Sequence, residues 1–65
     1  MFFEFTQEEF ETICKKAMLN DELIQIFEMK IKGYSIIHIA IDMHMSERTV
    51  NRRVKELKKK IKRVI

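Results

Sequence analysis

The sequence predicts an all-α fold, a small four-helix domain, and three observations carry that expectation. The 65 residues include one glycine and no proline, too little turn material for a set of hairpins. Apolar residues recur at spacings of three and four, the period of a helix that buries one face. Short polar residues able to cap a helix stand just ahead of each such run, at Thr6, Asn20 or Asp21, Ser35 and Ser46. A chain of this length buries only about 60% of the surface that its unfolded form exposes, so one compact core is expected and a deep catalytic cavity is not.

The first helix opens on "TQEE" at 6–9, a capping box in which Thr6 accepts from the Glu9 amide while the Glu9 carboxylate reaches back. Phe5 and Phe10 are spaced as a hydrophobic staple across it. Phe10, Ile13, Cys14, Ala17 and Met18 then share one face, which makes Cys14 a core thiol. Asn20 or Asp21 caps the second helix, where Leu23, Ile24, Phe27 and Ile31 form a stripe that Ile26 and Met29 widen. Gly33 supplies its left-handed stop. Ser35 begins a short third helix through "IIHIAIDM", apolar at Ile36, Ile37, Ile39, Ala40 and Met43. Its β-branched residues would suit a strand on propensity alone. The short distance to the next cap and the small Ala40, which admits a close neighbour, favour a helix.

The fourth helix starts at Ser46, and Val50, Val54, Leu57, Ile61 and Val64 follow at spacings of four, three, four and three. They occupy a stripe about 80° wide. Opposite lie Arg48, Arg52, Lys55 and Lys59, flanked by Asn51 and Lys62 on one side and Arg63 on the other. Charge is distributed to match. Residues 1–32 carry seven acids against four lysines, net minus three, whereas residues 33–65 carry nine bases against three acids, net plus six. A cationic face that includes an asparagine has point charges for phosphates and planar amide or guanidinium forks for base edges. On charge alone, the same stripe also suits other anionic surfaces, or simply a solvated helix.

The stretch "GYSIIHIAIDMHMSERTVNRRVKEL", residues 33–57, resembles the helix-turn-helix of LuxR and GerE type regulators and of region 4 of sigma factors. Their pattern of a glycine, a small polar residue, Ile-Ala, an apolar residue before a turn, Ser-x-x-Thr-Val and a later valine falls on Gly33, Ser35, Ile39 and Ala40, Met43, Ser46, Thr49 and Val50, and Val54. The family usually has glycine in the turn. Here His44 stands there and would have to take up a left-handed or otherwise uncommon backbone, which histidine does more often than most residues. The resemblance implies a single helix-turn-helix domain over 1–65, with the motif at 35–60 and a long recognition helix. It implies binding to double-stranded DNA, in transcription regulation, by a reader without a sensor domain. Carried onto matching positions, Ser46 caps the recognition helix and Glu47 and Arg48 stand at its reading end. Arg48, Asn51 and Arg52 would face base edges, and Thr49, Lys55 and Lys59 would meet phosphates. Glu47 would accept from a cytosine amino group or only favour the helix N-terminus by its charge.

The remaining features are mostly exclusions. The lone Cys14 forms no internal disulfide, and "MFFEF" has neither the basic start nor the unbroken apolar run of a signal peptide, so a cytoplasmic protein with no membrane partner is expected. His38, His44, Cys14 and Asp42 lack zinc spacing, and no catalytic signature or phosphate loop is present, so no metal, cofactor, small-molecule ligand or enzymatic activity is expected. A fourth helix from Ser46 to near Ile65 would be about 28 Å long and would overhang a small core. Ile61, Val64 and Ile65 then form an apolar patch for a homodimer, or the aromatic N-terminus, Phe2, Phe3 and Phe5, folds over them within one chain. The rival to DNA binding is a small adaptor that contacts a protein such as RNA polymerase, its lysines serving solubility or an acidic partner.

Overall fold

Four helices, α1 (Gln7–Lys16), α2 (Asp21–Ile31), α3 (Ile36–Asp42) and α4 (Glu47–Lys62), make up the computed structural model, which describes residues 2–65 and holds no strand among them. Each helix begins at a side-chain cap that satisfies a backbone amide left open by the first turn. The Thr6, Asn20, Ser35 and Ser46 oxygens accept from the backbone N–H groups of Glu9, Leu23, His38 and Thr49 at 2.8–3.1 Å. In α1 the box closes, because the Thr6 N–H donates to Glu9 Oε1 at 2.8 Å. At α2 the cap is Asn20, and Asp21 sits inside the first turn, where its charge favours the positive end of the helix.

The three connections share one construction. After α1, the Met18 N–H donates to the Lys15 carbonyl and the Leu19 N–H to the Cys14 carbonyl. Gly33 and Tyr34 do the same toward Lys30 and Met29, and His44 and Met45 toward Ile41 and Ala40. These are Schellman stops, each requiring a left-handed residue followed by one that packs inward. The left-handed residues are Met18 at φ 52°, Gly33 at φ 90° and His44 at φ 55°. The inward ones are the buried Leu19 and the half-buried Tyr34 and Met45, and each is followed immediately by the next cap. The left-handed turn expected at His44 is therefore observed. Met18 corrects the sequence expectation, which placed it on the core face of α1. It is 85% exposed, because the left-handed backbone swings it out and delivers Leu19 to the core instead.

Helix α4 packs against both α2 and α3 with Val50, Val54, Leu57 and Ile61 buried. Ala40 is buried on α3 along with Ile39. From α2, Leu23, Ile26 and Phe27 fill the centre. The Phe27 ring meets Phe10 at 4.9 Å, Phe5 at 5.7 Å and Phe3 at 6.0 Å between centroids, so both staple residues converge on α2. Cys14 is half-buried against this core. Burial, then the Glu11 and Glu28 carboxylates, push its thiol above its ordinary range, which keeps it protonated. A radius of gyration of 11.0 Å matches the roughly 11 Å expected for one packed unit of this length.

The far end of α4 corrects a second expectation. The helix stops at Lys62 with Arg63 as its C-cap, about 24 Å long, nearly a turn short of the roughly 28 Å expected for a helix reaching near Ile65. Ile61 is fully buried and unavailable to a second subunit. Its cover is intramolecular: Phe3 is buried in the same core, while Phe5 and α1 line a shallow depression with the half-buried Val64 and the exposed Ile65. The aromatic N-terminus thus shares the core with Ile61 and flanks Val64, while Ile65 stays 69% exposed.

Met18 generates a stability test. A non-glycine residue in the left-handed region costs about 1–2 kcal/mol, and an 85% exposed side chain loses little burial when removed. Met18→Gly is expected to stabilise the chain by about 1 kcal/mol, a Tm rise of about 4–8 °C for a domain of this size, read by thermal unfolding.

Candidate nucleic-acid interface

Burying one stripe of a helix presents the opposite side to solvent. On α4 that side carries Arg48, Arg52, Lys55 and Lys59, all exposed, with the exposed Asn51 on one flank. The start of the helix is rigidly built. Ser46 Oγ accepts from the Thr49 N–H at 3.1 Å and donates its own proton to Thr49 Oγ1 at 2.9 Å. This interlock orients the half-buried Thr49 and leaves its hydroxyl proton for another acceptor. Glu47 and Arg48 follow in the first turn, both exposed.

The bases of α4 divide by what they do within the chain. Arg53 is structural: its Nε donates to Glu22 Oε1 at 2.5 Å, bridging α4 to α2 across 31 residues of sequence, and its guanidinium lies 4.0 Å from Glu56. Lys58 and Lys62 stand over the N-terminal rings, at 5.6 Å and 5.8 Å from the Phe2 centroid. Arg48, Arg52, Lys55 and Lys59 have no ion pair or hydrogen bond to another side chain among the described residues. Their charge is therefore left to solvent or to a partner.

The predicted site residues border more than one depression. Arg52, Lys55 and Lys59 share one open depression with Arg53 and Glu56. Asn51 lies on the other flank, in a groove walled by Phe2, Phe3, Lys30, Gly33, Ile36, Val54 and Lys58. Arg48, Ser46, Glu47 and Thr49 form the N-terminal end. Sequence reasoning missed Lys30 and Lys58, because the only local sign is the four-residue spacing of Lys58 and Lys62, and the rings that gather them lie at the opposite end of the chain. It also left Ile37 and Ile41 without a role. These stand 57% and 70% exposed, one turn apart on the outer side of α3.

Among the described residues no three His, Cys, Asp or Glu side chains gather where a metal ion would fit, and no helix is long and apolar enough to cross a membrane. No protein-family model, curated protein or solved structure matches this chain.

The Ser46 interlock has a measurable consequence. Ser46→Ala removes an N-cap and is expected to cost about 1 kcal/mol of stability, with amide exchange accelerated first at Thr49 and Val50, the start of α4.

Proposed function

We propose that the chain binds double-stranded DNA through the exposed face of α4, in the service of transcription regulation. The observation that carries this is the set Arg48, Arg52, Lys55 and Lys59, four cations on one face with no side-chain partner among the described residues. From Arg48 to Lys59 the helix rises about 16 Å, roughly five base-pair steps at 3.4 Å each. A helix with its side chains is about 10–12 Å across and fits a major groove about 12 Å wide. With the N-terminal end of α4 foremost, Arg48 and Arg52 are suited to guanine O6 and N7, and Asn51 to adenine N6 and N7. Thr49, Lys55 and Lys59 suit phosphates, and α3 crosses the backbone as the first helix of a helix-turn-helix does.

A second possibility, an adaptor that binds a protein, draws on the exposed Ile37 and Ile41 pair of α3. Two exposed isoleucines one turn apart cost nothing in the folded chain if a partner covers them, but they carry no information about that partner. Selection of bound sequences from random duplexes separates the two. A recovered motif supports DNA readout, and recovery of no motif together with salt-insensitive binding favours the adaptor.

Two substitutions on the same face are expected to behave differently. Arg52→Ala should weaken binding to the selected sequence by about 1–3 kcal/mol and relax preference at one base pair. A folded variant with unchanged affinity would count against the proposal. Lys59→Ala should weaken binding to every sequence alike and lower the salt slope by about one, measured by mobility shift across a salt series.

A further inference from the structure

The N-terminal rings collect lysines. Lys58 Nζ lies 5.6 Å from the Phe2 centroid and 5.8 Å from the Phe3 centroid, Lys62 Nζ 5.8 Å from Phe2, and Lys30 Nζ 5.7 Å from Phe3. Lys30 comes from the last turn of α2 and also donates to the Tyr34 carbonyl at 3.4 Å. Three ammonium groups from two helices are thus held around one edge-to-face pair of rings, 5.0 Å apart. Among the described residues none of the three has a carboxylate within 4 Å, although Lys32, two residues from Lys30, pairs with Glu28 at 3.6 Å. The ring faces attract each ammonium, yet the lysines repel one another.

Position gives this cluster a direction. Lys30 and Lys58 line the same groove as Asn51, so the cluster borders the flank of α4 that carries Asn51 and Lys62, next to the exposed cationic face. A helix seated in a major groove lies between two phosphate backbones, because groove and helix have nearly the same width. With Arg48 and Arg52 toward the bases, one backbone would meet the side of α4 that carries Lys59, and the other would pass over the aromatic groove. We propose that Phe2 and Phe3 hold Lys30, Lys58 and Lys62 as a second phosphate-binding track for the duplex whose major groove takes α4. This rests on DNA binding by the chain. In the track the rings fix the lysines in place, so ordering them costs little when the phosphates arrive, and the phosphates offset the repulsion among the lysines.

The test is the salt dependence of duplex binding. A Lys30→Gln, Lys58→Gln double variant removes two phosphate contacts and should reduce the slope of log affinity against log salt by about 1.8. Between 50 and 200 mM salt the wild type should then lose about twelvefold more affinity than the variant, and the loss at low salt should be the same for selected and unrelated duplexes. Lys30→Arg, Lys58→Arg should restore the wild-type slope. Because Lys58 and Lys30 are half-buried, the exposed Lys62→Gln serves as a second arm that leaves the packing intact, with an expected fall of about 0.9. Wild-type slopes in both glutamine variants, with Arg52→Ala still weakening binding, would overturn the track and leave DNA binding standing. Loss of binding to a glutamate-rich peptide in the glutamine variants, with the DNA slope unchanged, would overturn it in favour of an acidic protein partner. A wild type that binds no duplex at low salt would remove both proposals together.

Discussion

The burial of one stripe of α4 governs the rest of the molecule. Val50, Val54, Leu57 and Ile61 are all buried, and each such side chain contributes about 1.5–3 kcal/mol relative to exposure. Four of them rival the whole net stability of a small domain. The other elements arrange themselves to supply that burial, with α2 and α3 against α4 and the N-terminal aromatics over its far end. Because a helix is rigid, hiding one face commits the opposite face to solvent. The exposed cations of α4 therefore follow from the core, and the same packing that stabilises the chain also presents them.

How the helices reach α4 depends on a turn used three times. Each connection ends a helix at a left-handed residue, turns the next residue inward and caps the following helix at once. The economy suits a short chain, since nearly every residue is either helical or bonded in a turn. Only Gly33 takes the left-handed position without cost. Met18 and His44 occupy it because the paired backbone bonds and the packing of Leu19 and Met45 offset the strain.

The fate of the basic side chains ties packing to the proposed chemistry. Arg53 spends its charge on Glu22 and Glu56, which holds α4 to α2. Lys30, Lys58 and Lys62 lie over Phe2 and Phe3, and Phe3 in turn meets the central Phe27. Arg48, Arg52, Lys55 and Lys59 remain outside these arrangements. Net charge on its own cannot distinguish these groups, since all are lysines or arginines on one amphipathic helix or its neighbour. Their partners distinguish them.

Local chemistry in the sequence was enough to determine the four helices, three of their caps and the stop at Gly33. The Thr6, Ser35 and Ser46 caps bond to amides three residues on, Gly33 has the backbone freedom its turn needs, and the spacing of Val50, Val54, Leu57 and Ile61 defines a face within a single helix. His44 in the turn was legible through the resemblance, whose pattern usually has glycine at that position. Met18 was not, because methionine has no local preference for that backbone and its helical spacing pointed to the core. Tertiary structure alone decided what lies far apart in the chain: Arg53 bonded to Glu22, Phe3 buried with Ile61, and three lysines gathered on two N-terminal rings. The physical reason is the range of the interactions. A cap or a stripe is complete within a few turns of chain, whereas the partner of a side chain across the core is chosen only when all four helices have packed.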